Sequence, residues 1–249
     1  MRLPAARAGL VFSILMAAAA AGAQPVAPRH GGLGGFARRS GADFRHLPTW
    51  ESLLWLGGGG VASLLAHSED RDWVESLAAS DDFEEFLDPG KIVGSEVVLL
   101  PATLLTYGIG RWADRPGLEH AADDLLRAQL VSQVMTHGLK LSVGRERPDG
   151  ERWSFPSGHS SASFAVATVL ASHGGWKFGV PAYAGAAYVA LSRMAERRHY
   201  ASDVIFGAAI GIVAGRTVTR DGATSWRISA WGSNEGATGL RLTWSPAAR

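Results

Sequence analysis

Phe155-Pro156-Ser157-Gly158-His159-Ser160-Ser-Ala-Ser-Phe-Ala-Val-Ala-Thr-Val-Leu-Ala-Ser172 joins a turn to an uncharged, mostly apolar run. The run predicts a helix over about 160–172, entered through the Pro-Ser-Gly-His turn. Two further apolar runs, at about 178–193 and 201–219, are rich in glycine and alanine, which suits tightly packed neighbours. Upstream, residues 118–143 place Leu125, Leu126, Leu130, Val134 and Leu139 near helical spacing. Residues 91–112 read as a helix bent at Pro101. Thr49 is placed to cap a helix beginning at Trp50. Gly57 to Gly60 interrupt that run, either permitting close packing or breaking the helix. Shorter amphipathic pieces lie around 73–77 and 83–87, and a Pro89-Gly90 turn follows. The expected fold is all-α, a helical bundle of about six core helices spanning residues 49–219.

The two ends differ from this body. Arg2 and Arg7 precede an apolar stretch from Ala8 to Gly22, and Ala21-Gly22-Ala23 gives a small-x-small cleavage site. Residues 1–23 therefore read as a signal peptide, and the mature chain is expected in the periplasm or cell envelope. Residues 24–48, with Gly31-Gly32-Leu33-Gly34-Gly35 and no apolar period, read as a flexible leader. Over 220–249, Trp226, Ile228 and Ala230 alternate with Arg227 and Ser229, and Leu240, Leu242 and Trp244 alternate with Arg241 and Thr243. That alternation predicts a β-hairpin.

Composition removes several classes of function. The formal net charge is +1; losing residues 1–23, with two arginines and no acid, takes it to −1. No basic excess points to nucleic acid. Zero cysteine excludes disulfides and thiolate metal sites. The longest uncharged helical runs, 52–68 and 160–176, are 17 residues each. A spanning helix needs about 20, so buried helices of a soluble or peripherally attached bundle explain these runs at least as well as membrane spans, and the sequence leaves soluble versus membrane-embedded open.

Three blocks within residues 140–203 carry chemistry: Lys140-x6-Arg147-Pro148, Pro156-Ser157-Gly158-His159, and Ser192-Arg193-x5-His199-x3-Asp203. A turn opening a helix presents unpaired N–H groups, and Ser157 and Gly158 suit an anion cradle with His159 at its lip. His199 and Asp203 are spaced to share a helix face, so the carboxylate can orient the imidazole. Lys140, Arg147 and Arg193 supply cations for equatorial phosphoryl oxygens. The other six histidines, His120 and His173 among them, read as structural or surface residues, and no metal cluster stands out. Arg145, Arg152, Arg197 and Arg198 read as solvated charges or general electrostatic support. Each block alone is ordinary. Together they specify roughly ten positions, each matched by chance about one time in twenty.

The blocks resemble the three signatures of the type-2 phosphatidic acid phosphatase and vanadium haloperoxidase superfamily, and match at every signature position. The resemblance implies a metal-independent phosphatase acting through a phosphohistidine. In it His199 is the nucleophile, Asp203 orients it, and His159 is acid and then base. Lys140, Arg147, Ser157, Gly158 and Arg193 hold the phosphate, and no cofactor is required. Substrates across the family include lipid phosphates, isoprenoid diphosphates, lipid A phosphates and soluble monoesters. The same pocket would hold vanadate in a haloperoxidase. A second alternative is a non-catalytic envelope protein that retains the phosphate pocket. The intact set of catalytic groups argues against the latter.

Overall fold

The computed structural model describes residues 32–79 and 81–220, and the backbone of 225–232 and 238–245. The expected signal peptide lies outside these residues. Ten helices occur among them: α1 Gly32–His46, α2 Trp50–His67, α3 Asp70–Ala78, α4 Asp81–Leu87, α5 Gly90–Val93, α6 Glu96–Trp112, α7 Pro116–Val143, α8 Gly158–Gly174, α9 Trp176–Ala195 and α10 Ala201–Val218. Strands β1 (Ser225–Gly232) and β2 (Thr238–Ser245) pair antiparallel, with Trp226 opposite Trp244 and Ile228 opposite Leu242. The architecture is the expected all-α bundle, with six long helices (α2 and α6 to α10) and the hairpin after it.

Helix α8 is the hub, packing against α7, α9 and α10. Leu125, Val131, Val169 and Ala214 are fully buried in the main core, between α7, α8 and α10. Close approach of α10 to α8 depends on small residues. A Cβ on Gly211 would lie 2.3 Å from the Ser161 carbonyl oxygen, and one on Gly207 would lie 2.7 Å from that of Ser157. These glycines set the distance between the two helix N-termini where the chemistry-bearing residues sit.

Thr49 caps α2 as expected, its Oγ1 accepting from the Ser52 N–H at 3.1 Å. The four glycines do not break α2. Gly59 lies against Ala209 so closely that a Cβ would come within 2.3 Å of the alanine Cβ. The 91–112 segment departs from expectation. It breaks at Gly94-Ser95, where Ser95 is extended (φ −76°, ψ 147°), and Pro101 lies inside the continuous α6.

Two other expectations are corrected. The leader expected over 24–48 contains helix α1 across 32–46. It is held by ion pairs: Arg39 to Asp123 at 2.7 Å, and Asp43 to the buried Arg127 at 2.7 Å. Those pairs dock it together with Phe44, which packs against the main core. Helices α2 and α6 are also less buried than expected. Leu64 and Leu65 are 76% and 73% exposed, and Val97 and Trp112 are 84% and 89% exposed. Contiguous apolar exposure of this kind marks an interaction surface. Among the described residues, only α10 is by itself long and apolar enough to cross a membrane, and it is mostly buried.

Candidate active site

Four helix ends meet at one end of the bundle. Helix α7 stops at Gly144 (φ +61°), whose N–H bonds back to the Lys140 carbonyl. A positive φ is cheap for glycine and lets the chain turn sharply. The following loop is pinned by Arg147 N–H to Glu151 O at 2.7 Å and Ser154 N–H to Arg145 O at 2.9 Å. It returns through a cis Phe155–Pro156 bond to Ser157, the N-cap of α8. Helix α9 ends just after Arg193, and a short turn carries His199 to the start of α10.

His199 is therefore not on the helix that carries Asp203. It precedes α10, with its backbone N–H on the Arg193 carbonyl at 3.2 Å. The turn still brings Nδ1 to 3.8 Å from Asp203 Oδ2. That is an ion-pair distance, too long for a hydrogen bond. Asp203 is fully buried and well held: it accepts from Ser154 Oγ, from the Tyr200 N–H at 2.8 Å and from Arg145 Nη1 at 2.8 Å. Such a carboxylate can fix an imidazole tautomer and stabilise positive charge on it.

Arg145 was expected to be a solvated charge or general support, and this is corrected. One nitrogen holds Asp203 and Ser202, the other reaches Asp70 Oδ2 at 2.8 Å, and the guanidinium lies 4.2 Å from the Tyr200 ring centroid. Asp70 in turn accepts from the Ser202 N–H at 2.9 Å. This network ties the start of α3 to the start of α10 and holds the Asp203 carboxylate from behind. Its arginine lies inside the first sequence block, but Asp70 and Ser154 carry no local signal of it.

The expected phosphate ligands gather around the same turn. Ser157 is fully buried, its N–H donating to the Asp203 carbonyl at 3.0 Å and its Oγ accepting from the Ser160 N–H at 3.4 Å. Its O–H proton is left to donate elsewhere. Gly158 is the first residue of α8, where N–H groups point out of the helix. Lys140 reaches the Trp153 carbonyl, Arg147 pairs with Glu151 at 3.0 Å, and Arg193 pairs with Glu196. Both arginines nevertheless keep a buried Nε–H with no partner, and His199 Nδ1, which faces Asp203 at 3.8 Å, is buried with no hydrogen bond. Buried polar groups are nearly always satisfied, so three orphans in one place are unusual.

Electrostatics agree. Burial pushes the His199 imidazole down to about 4 against the pull of Asp203, and the charges of Lys140 and Arg147 add to the lowering. His159 is also lowered to about 4, by burial first and then by Arg193 and His199. Burial, with Arg147 beside it, brings Lys140 down to about 8. A dianion entering this cluster would relieve the repulsion among the cations and raise the imidazoles.

A cleft of about 870 Å³ lined by Asp70, Arg145, Arg147 and Tyr200 flanks the histidines without containing them. On the other side, Ser163, one turn beyond His159, opens a small apolar slot with Leu99, Val166, Leu170 and Val189.

Comparison with known proteins follows this geometry. The family described as the PAP2 superfamily matches residues 124–227. Lipid A 1-phosphatase of Porphyromonas gingivalis is 37% identical over 127 residues, covering 49% of this chain and 28% of that protein. The chain thus spans well under two thirds of that relative. Aquifex aeolicus LpxE superposes with a TM-score of 0.53 at 21% identity, over 61% of this chain and 94% of that one. The transmembrane PAP2-type phosphatidylglycerolphosphate phosphatase of Bacillus subtilis gives 0.56 at 21% identity, over 68% and 92%. At that identity the two structures speak for the fold alone. The match to the PAP2 superfamily over residues 124–227 takes in all three blocks, which the helical hub gathers at its one end.

Proposed function

We propose that the protein is an exported phosphatase that hydrolyses a lipid phosphate or diphosphate through a phosphohistidine on His199, without a metal at the reacting phosphorus. The observation that carries this reading is the pair of buried, unpartnered donors Arg147 Nε and Arg193 Nε in the cluster that holds His199, whose Nδ1 faces Asp203. A phosphoryl group accepts hydrogen bonds from such donors, and the N-termini of α8 and α10 add positive dipole ends.

In the first step a lone pair of neutral His199 attacks phosphorus. The P–O bond to the leaving group breaks, and His159, charged once the dianion is bound, gives that oxygen its proton. In the second step neutral His159 takes a proton from water as the water oxygen attacks the phosphohistidine. The P–N bond breaks, inorganic phosphate leaves and His199 is restored. Asp203 stabilises the charge on His199 throughout, and the cations hold the equatorial oxygens.

Three features support a lipid. The apolar slot beside Ser163 adjoins the reacting end, the faces of α2 and α6 expose large apolar side chains suited to a bilayer, and the similar Porphyromonas gingivalis protein is named for lipid A. Export rests on the residue 1–23 pattern, and N-terminal sequencing that finds Met1 on the mature protein would remove it. The activity itself is tested by phosphate release from phosphatidate, phosphatidylglycerophosphate, undecaprenyl diphosphate, lipid A and a soluble aryl phosphate in mixed micelles. Turnover of one or more lipids well above the aryl phosphate is expected. Release from the aryl phosphate alone would contradict the lipid reading, and no release from any substrate would contradict the enzyme.

A further inference from the structure

At the far end of the bundle a second cluster of titratable groups forms, apart from the phosphate cradle. His120 and Asp124 lie one turn apart on α7, and His173 comes in from the last turn of α8. One ligand atom from each lies within 4.8 Å of the others. His173 Nε2 is 2.9 Å and His120 Nε2 is 3.7 Å from Asp124 Oδ2. In a tetrahedral site with metal–ligand bonds near 2.05 Å, donor atoms stand about 3.3 Å apart. The two measured edges bracket that spacing.

The surroundings favour a cation. Asp124 Oδ1 is held by Arg127, which leaves Oδ2 turned to the imidazoles, so the carboxylate is oriented as a metal ligand's usually is. Among the described residues, the buried network behind it sets Arg39 and Arg127 against Asp43, Asp123 and Asp124. His120 and His173 side chains are 17% and 15% exposed, so an ion has a route in and a solvent molecule can complete its shell.

We infer that His120, Asp124 and His173 form a binding site for a divalent transition cation of the zinc class, which ties the start of α7 to the end of α8. His120 and Lys140 are about 30 Å apart along α7, so the ion is structural and takes no part in phosphoryl transfer. The site is independent of the proposed activity.

The test is zinc titration of the full-length, chelator-stripped protein in detergent, read by calorimetry and by the thermal midpoint. One zinc per chain is expected, with the midpoint rising by roughly 5–10 °C at a hundredfold excess over Kd. His120→Gln and His173→Gln should each weaken uptake at least about tenfold, while His137→Gln, outside the cluster, should not. Each variant is first checked for native circular dichroism, and either one that folds suffices to decide. Absence of stoichiometric uptake, or uptake that a folded His120 or His173 variant leaves intact, overturns the assignment.

Discussion

The two ends of the α7–α8 pair use the same residue types to opposite effect. At the far end the buried Arg127 faces three carboxylates, Asp43, Asp123 and Asp124. At the reacting end Arg147 and Arg193 have one carboxylate partner each and keep a buried Nε–H unsatisfied. The first arrangement over-satisfies a cation and serves stability. The second leaves donors and positive charge unanswered, which costs stability until an anion arrives. The sign of the local imbalance, more than the presence of arginine, separates scaffold from site.

The comparison breaks most sharply under substitution of the arginines. Arg193→Ala should lower kcat/KM by roughly 100- to 1,000-fold, the scale of losing one donor to a developing oxyanion. Its thermal midpoint should stay within a few degrees, because the empty site loses a repulsive charge with the side chain. Arg127→Ala should do the reverse. Removing one partner of a buried ion cluster costs about 3–5 kcal/mol, visible in denaturant unfolding, while the folded fraction keeps its kcat. Similar stability losses for both variants would erase the distinction between the ends.

Arg145 tests the middle ground, since it touches Asp203 and not the phosphate. Arg145→Lys should reduce kcat by roughly tenfold with little change in KM, because the fork that holds Asp203, Ser202 and Asp70 together is lost. A rise in KM alone would instead place Arg145 on the substrate.

The smallest effects are in pH. As pH falls through about 4, His199 gains a proton and loses its attacking lone pair, so kcat/KM should drop. As pH rises through about 8, Lys140 loses its charge and KM should rise. Lys140→Arg should remove that alkaline limb, since arginine does not titrate there. An alkaline limb unchanged in Lys140→Arg would assign it to another group.

Much of this was legible in the sequence because it depends on local pattern. The helices α7 to α10 follow from apolar runs bounded by turn residues, and the cradle follows from Pro156-Ser157-Gly158-His159 at a helix start. What escaped was long-range. Helix α1 has no apolar period, and beside Phe44 on the core it is docked by Arg39 and Asp43 on partners 84 residues away. Asp70 acts on Ser202 across 132 residues. The His120–Asp124–His173 cluster offers only a four-residue helical spacing as its local sign. The sequence leaves open whether α2 and α6 are covered, because an apolar run gives hydrophobicity but not what covers it. His199 was assigned to the wrong side of a helix start, yet its relation to Asp203 survived because the preceding turn delivers it to the same carboxylate.

In the proposed reaction His199 carries the phosphoryl group. Rapid quench with a radiolabelled activated aryl phosphate, run on wild type, His159→Ala and His199→Ala after each is shown to be folded, measures it directly. An acid-labile phosphoenzyme is expected in wild type and in His159→Ala, where a good leaving group departs without a proton. In His159→Ala the label should persist longer, since water has lost its base. No label should appear in His199→Ala. Label retained in His199→Ala but absent from His159→Ala would contradict the assignment and exchange the two roles.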